Sequence, residues 1–220
     1  MAEDGRSLDI LYGVAEPGPA APSVRVVRGV PLRLWEGPYP FAEPPDLIRL
    51  TDVAQRLDFL RDHLQSLCGL WAGSLRIFLA AYFRWVGSVL AANQAAVERQ
   101  TEGGGLFQAA DWSFAAFRPL PSAHLPANGG TIRADITFWT GERLVAIELI
   151  GGGTLRAKRQ AELDALRAAG VALCEIPVAG LDGAVLDQHL PPDFARFWQG
   201  IALPRSPFGG TVPMAILPPA

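Results

Sequence analysis

The sequence predicts an α/β protein, with a mixed sheet flanked by helices, a helical extension ahead of it and irregular proline-rich arms at either end. Three observations lead there. Two apolar strands, 131–139 and 143–150, are separated by Thr140-Gly141-Glu142, the signature of an antiparallel hairpin. A helix over 155–169, stopped by Gly170, then precedes a short apolar strand, 171–177. A crossover helix makes the strands on either side of it parallel, so the sheet is mixed.

Taken in chain order, residues 1–45 read as an irregular arm. A small hairpin around Gly29 is expected within 24–35, and Pro38, Pro40, Pro44 and Pro45 break any regular element after it. Residues 46–102 read as a helical region packing on the core. One helix starts at Asp52, whose spacing to Gln55 resembles a capping box, and carries Leu57, Leu60, Leu64 and Leu67 before ending near Cys68 and Gly69. A second spans roughly 72–100. Its Phe78, Tyr82, Phe83 and Trp85 surround the axis, which predicts burial on several sides by the core, by a second copy or by another protein. The α/β core occupies 103–178: Trp112 to Phe117 has strand grammar, and proline-rich turns run from there to Gly130. Residues 179–220 hold a short helix around Ala195, Phe197 and Trp198 and a proline-rich tail.

Composition narrows the function classes. Half of the 220 residues are apolar and only 19% are charged, which describes an ordered chain with a sizeable core. A net charge of −3 argues against a broad electrostatic footprint for nucleic acid, although an acidic metal site supplies its own negative charge. Cys68 and Cys174 lack metal-ligand or redox spacing and read as buried free thiols in a reducing compartment, so a cytoplasmic location is expected. The first residues do not resemble a signal peptide. The apolar stretch 77–97 is interrupted by Arg84, which costs about 2.5–3.5 kcal/mol at a bilayer centre, so no membrane span is expected. His63, His124 and His189 are scattered, and Gly151-Gly152-Gly153 lacks the Gly-Lys-Ser/Thr of a phosphate-binding loop.

The chemistry concentrates at the hairpin and the helix after it. Asp135 and Glu148 lie on adjacent strands, and Glu148 sits inside Leu144-Val-Ala-Ile-Glu-Leu-Ile, where an unpaired carboxylate is costly. Two such acids suit a hard cation, Mg²⁺ or Mn²⁺, with the Leu149 carbonyl as a further ligand. A metal there activates water and stabilises charge on a phosphate. Lys158 is the single lysine among nineteen basic residues and falls in the first turn of the helix, within reach of Glu148. Gln160 and Glu162 are candidates to orient metal-bound water, and Arg156 and Arg159 are surface residues able to contact phosphate.

These residues, Asp135, Glu148 and Lys158, in the order strand, strand, helix, strand, resemble the PD-(D/E)XK nuclease superfamily. The stretch from Ala146 to Pro177 is similar to small very-short-patch-repair-endonuclease-like members. The resemblance covers about residues 90–178. It implies a restriction-endonuclease-like core, a divalent metal on Asp135 and Glu148, and DNA as the substrate. One position departs from the pattern: Ile150 stands where the motif has lysine, and Lys158 takes the place of a lysine moved to the following helix. Many members add an acid from the first core helix, for which Glu98 is the best match and Glu102 the second. The expected function is therefore a metal-dependent phosphodiester hydrolase. The alternative is a catalytically inactive module of the same fold that works in protein assembly.

Overall fold

One mixed sheet organises the chain. It comprises β1 (Ser7–Leu11), β2 (Ser23–Val27), β3 (Leu120–Ala127), β4 (Gly130–Trp139), β5 (Leu144–Ile150) and β6 (Ala172–Pro177), in the order β2-β1-β3-β4-β5-β6. All neighbours are antiparallel except β5 and β6, which are parallel as the crossover helix requires. The protein is seen in a computed structural model that describes residues 7–14, 16, 18, 21–35, 39, 52–69, 72–102, 108–151 and 157–201.

The β4–β5 hairpin forms where the sequence places it. Gly141 takes φ +95° in the turn, and a Cβ there would lie 2.9 Å from the Pro31 nitrogen. Glycine is thus required twice over, by conformation and by contact. The helices are α1 (Val53–Ser66), α2 (Gly73–Ala92), α3 (Gln94–Thr101), α4 (Ala157–Ala168) and α5 (Gly183–His189). Asp52 caps α1, its Oδ1 accepting from the Ala54 amide at 3.0 Å.

Several elements differ from expectation. The helix read as 72–100 is two helices, broken at Asn93, whose Nδ2 donates back to the Val89 carbonyl at 2.8 Å. A short amide side chain that bonds the preceding turn competes with the helical ladder. Residues 109–115 form a 3-10 helix rather than a strand, started by the Gln108 amide donating to Asp111 Oδ2 at 2.8 Å, with Trp112 and Phe114 buried inside it. The proline-rich run expected as turns contains β3. Its outer edge meets β1 only at Leu11↔His124, so Pro121 and Pro126 leave few ladder bonds unmade. The segment read as an irregular arm supplies β1 and β2, which pair with each other from Ser7↔Val27 to Leu11↔Ser23.

Two apolar clusters flank the sheet. On one side α1, α2, α5 and the 3-10 helix cover Ile136, Phe138, Val145 and Ile147. Phe138 stands 5.2 Å from the Tyr82 ring and 5.1 Å from Phe194. On the other side Leu163 and Leu166 of α4 pack on Ala146, Ala134 and Leu125. By length and composition α2 could cross a membrane, yet half of that apolar stretch is buried within the protein. Cys68 is buried and Cys174 half-buried, both as free thiols. Burial pushes the Cys68 thiol up to about 12.

Candidate active site

Asp135 falls at interruptions on both sides of β4. The ladder to β5 runs from Trp139↔Leu144 to Ile136↔Ile147 and stops, so Asp135 and Glu148 are the next positions, just beyond the last pair. The ladder to β3 passes from Pro121↔Ile136 to Ala123↔Ala134 and skips Ser122, which has φ +48°. The strands part here, and the Asp135 side chain takes over the work of a missing carbonyl. Its Oδ2 accepts from the Leu149 amide at 2.9 Å. Loss of solvent raises the Asp135 pKa first, and repulsion from Glu148 raises it further, against the lowering effects of the Leu149 amide, Arg159 and Arg133.

Glu148 is 6% exposed and held by a two-point fork from Arg159. The Arg159 Nε donates to Glu148 Oε1 at 2.8 Å and its Nη2 donates to Oε2. The remaining Nη1 donates to Glu162 Oε2 at 3.0 Å and to the Arg133 carbonyl at 2.8 Å. One guanidinium therefore ties α4 to β5 and β4 together. Arg167 repeats the arrangement one strand over: Glu175 sits opposite Glu148 in the β5–β6 register and accepts from Arg167 Nη2 at 2.6 Å. The bonds it donates to Glu148 raise the pKa of Arg159, so its charge is permanent.

Asp135, Glu148, Glu162, Arg159 and Arg133 line a single open cleft of about 480 Å³. The two acids expected at the centre are thus brought together, but the expected cation is a different one. Lys158 is exposed and makes no hydrogen bond or ion pair, while Arg159 next to it makes all the contacts with Glu148. Helical geometry carried the signal. At about 100° per residue, Arg159 falls within about 20° of the middle of the Leu163–Leu166 stripe, and Lys158 about a quarter-turn away. Gln160 is exposed and donates to Asp164 Oδ1 at 3.1 Å, away from the acids. Glu98 is exposed on α3, accepts from Gln94 and does not line the cleft. Glu102 closes that helix. Leu149 joins the site through its amide. Gly152, Gly153 and Arg156 lie outside the described residues.

Oxygen donors of this kind suit a hard divalent cation, but both Glu148 oxygens are committed to Arg159. Among the described residues no three acids, histidines or cysteines are gathered closely enough to hold a metal ion. The site fits a metal only if Arg159 withdraws from Glu148. Neither a family model, nor a curated protein, nor a solved structure matches this chain.

Proposed function

We propose that the cleft at the parting of β4 and β5 is a phosphodiester-hydrolase site of the nuclease type, acting on DNA with Mg²⁺ or Mn²⁺. One observation carries this reading: Asp135 and Glu148 occupy the first positions beyond the β4–β5 ladder and line one cleft. The strand order β3-β4-β5-β6, with the last pair parallel, supports a restriction-endonuclease-like core. A divalent cation, when bound, would supply an activated water and offset charge on the phosphate. The chain's own residues do the rest. Asp135 is oriented by the Leu149 amide, and Arg159 is a permanent cation placed to exchange a carboxylate for a phosphate oxygen, which its fork accepts equally well. Lys158, in the exposed first turn of α4, remains a candidate second phosphate contact. A cytoplasmic location, and a protein partner or second copy on α2 or α3, belong to the same proposal.

A second reading has its own support. With Ile150 in the lysine position and Glu148 fully engaged by Arg159, the same residues make a stable structural clamp in an inactive module that serves assembly. Calorimetric titration of Mn²⁺ and Mg²⁺ separates the two. The nuclease reading expects weak binding by the wild type, tighter binding by Arg159→Met, and none by Asp135→Asn/Glu148→Gln. An Arg159→Met protein that folds and binds neither ion would leave the clamp as the better account.

A further inference from the structure

A second cleft, of about 370 Å³, opens on the other side of Asp135, between the start of α2 and the irregular stretch of β3. Its volume lies in the range of small-ligand sites, about 300–1,000 Å³. Asp135 and Arg133 line both clefts, so the two adjoin at β4.

Three features of this cleft point to an anion. The α2 amino terminus opens into it uncapped: Ala72 is the N-cap residue and offers no side-chain acceptor. The first helical bond is Arg76 to the Ala72 carbonyl, which leaves the amides of Gly73, Ser74 and Leu75 without an acceptor among the described residues. The positive end of a twenty-residue helix therefore faces the space. Independently, Ser122 is 7% exposed, lines the same cleft, and its hydroxyl has no hydrogen-bond partner. The residue is otherwise enclosed, so its hydroxyl meets no protein group and is left to serve whatever occupies the cleft. Arg133 on the shared rim makes no side-chain hydrogen bond or ion pair and offsets the charge of Asp135. The lining also includes the apolar Val14 and Leu67, which suit the sugar or base that accompanies a phosphate.

We propose that this cleft is a phosphoryl subsite, in which the Gly73, Ser74 and Leu75 amides and the Ser122 hydroxyl hold one phosphate of a nucleotide chain while the neighbouring diester lies against Asp135 and Glu148. The identity of the donor as a nucleotide chain rests on the nuclease reading; the anion site itself needs neither metal nor cleavage.

The test is amide NMR on metal-free protein in EDTA, titrated with a 5′-phosphorylated dinucleotide, its 5′-hydroxyl counterpart and inorganic phosphate. The Gly73, Ser74 and Leu75 amides should shift, with the phosphorylated dinucleotide binding most tightly. Equal binding of inorganic phosphate would keep the subsite and make its ligand a free anion. Ala72→Asp places a carboxylate over the same amides, so it should weaken binding by about tenfold or more while leaving the melting temperature unchanged or higher. Ser122→Ala should weaken binding about fivefold. Wild-type amides that do not move, or an Ala72→Asp protein that binds as well as the wild type, would overturn the proposal. Because no metal is present, either result is independent of the calorimetric test of Asp135 and Glu148.

Discussion

Replacing Arg159 by methionine tests the site at its most connected atom group. The Glu148 side chain is 7% exposed and that of Arg159 21%, so the pair is mostly shielded from water. Removing one partner of a buried ion pair costs about 3–5 kcal/mol, chiefly because the other charge stays behind unpaired. The fifth of Arg159 that meets solvent reduces this, whereas the lost bonds to Glu162 and to the Arg133 carbonyl add to it. Methionine keeps an unbranched apolar stem of similar length. The expected destabilisation at neutral pH is about 3 kcal/mol, a fall in melting temperature of about 6–12 °C for a chain of this size. Urea denaturation should report it, and adding Glu148→Gln to Arg159→Met should recover about 2 kcal/mol, since the stranded charge is then gone. A loss below about 1 kcal/mol, or two substitutions that simply add, would refute the view that Arg159 compensates Glu148.

Three further outcomes are expected. Asp135→Asn keeps an oxygen for the Leu149 amide and removes a carboxylate whose folded pKa is raised, so it should stabilise the protein at neutral pH. With the folded value above the unfolded one, the penalty of Asp135 is absent below the unfolded pKa and grows as pH rises through the folded one. The gain from asparagine should therefore shrink towards zero in acid denaturation series near pH 3, and a gain independent of pH would contradict the burial argument. Phe138→Ala opens a hole among Phe78, Tyr82 and Phe194 and should cost about 3–5 kcal/mol in chemical denaturation. Gly141→Ala must both accept φ +95° and displace Pro31, so a loss of at least about 1 kcal/mol is expected, and a neutral effect would mean the turn relaxes freely.

Strong local signals made much of the fold legible in the sequence. The hairpin at Gly141, the helix stopped by Gly170 and the parallel strand after it follow from spacing alone, which puts Asp135 and Glu148 on adjacent strands, while the register that brings them together is set by the folded sheet. What escaped was set by distant partners. β3 carries two prolines that only a nearly free edge tolerates, and whether that edge is free depends on β1, more than 100 residues earlier. The aromatic stretch at Trp112 reads as a strand until Asp111 turns back on Gln108. At the site, the rarity of Lys158 drew the eye, yet position on the helix decided the contact, and Arg159 on the leucine stripe had the better claim. Tertiary burial outweighed composition.

The edge of the sheet has a practical meaning for anyone shortening this chain. Because residues 1–45 read as an arm, a truncation near residue 50 is the natural way to isolate the part that carries the candidate site. Such a cut would remove β1 and β2, and with them Tyr12, whose hydroxyl accepts from Arg118 across a separation of 106 residues. Arg118 is 0% exposed and also lies over the Tyr12 ring, so the fragment would lose that packing on a buried guanidinium and open the outer edge of β3 to other chains. The amino-terminal hairpin thus behaves as the lid of the core's last open seam, and fragments meant to report on chemistry should begin ahead of Ser7.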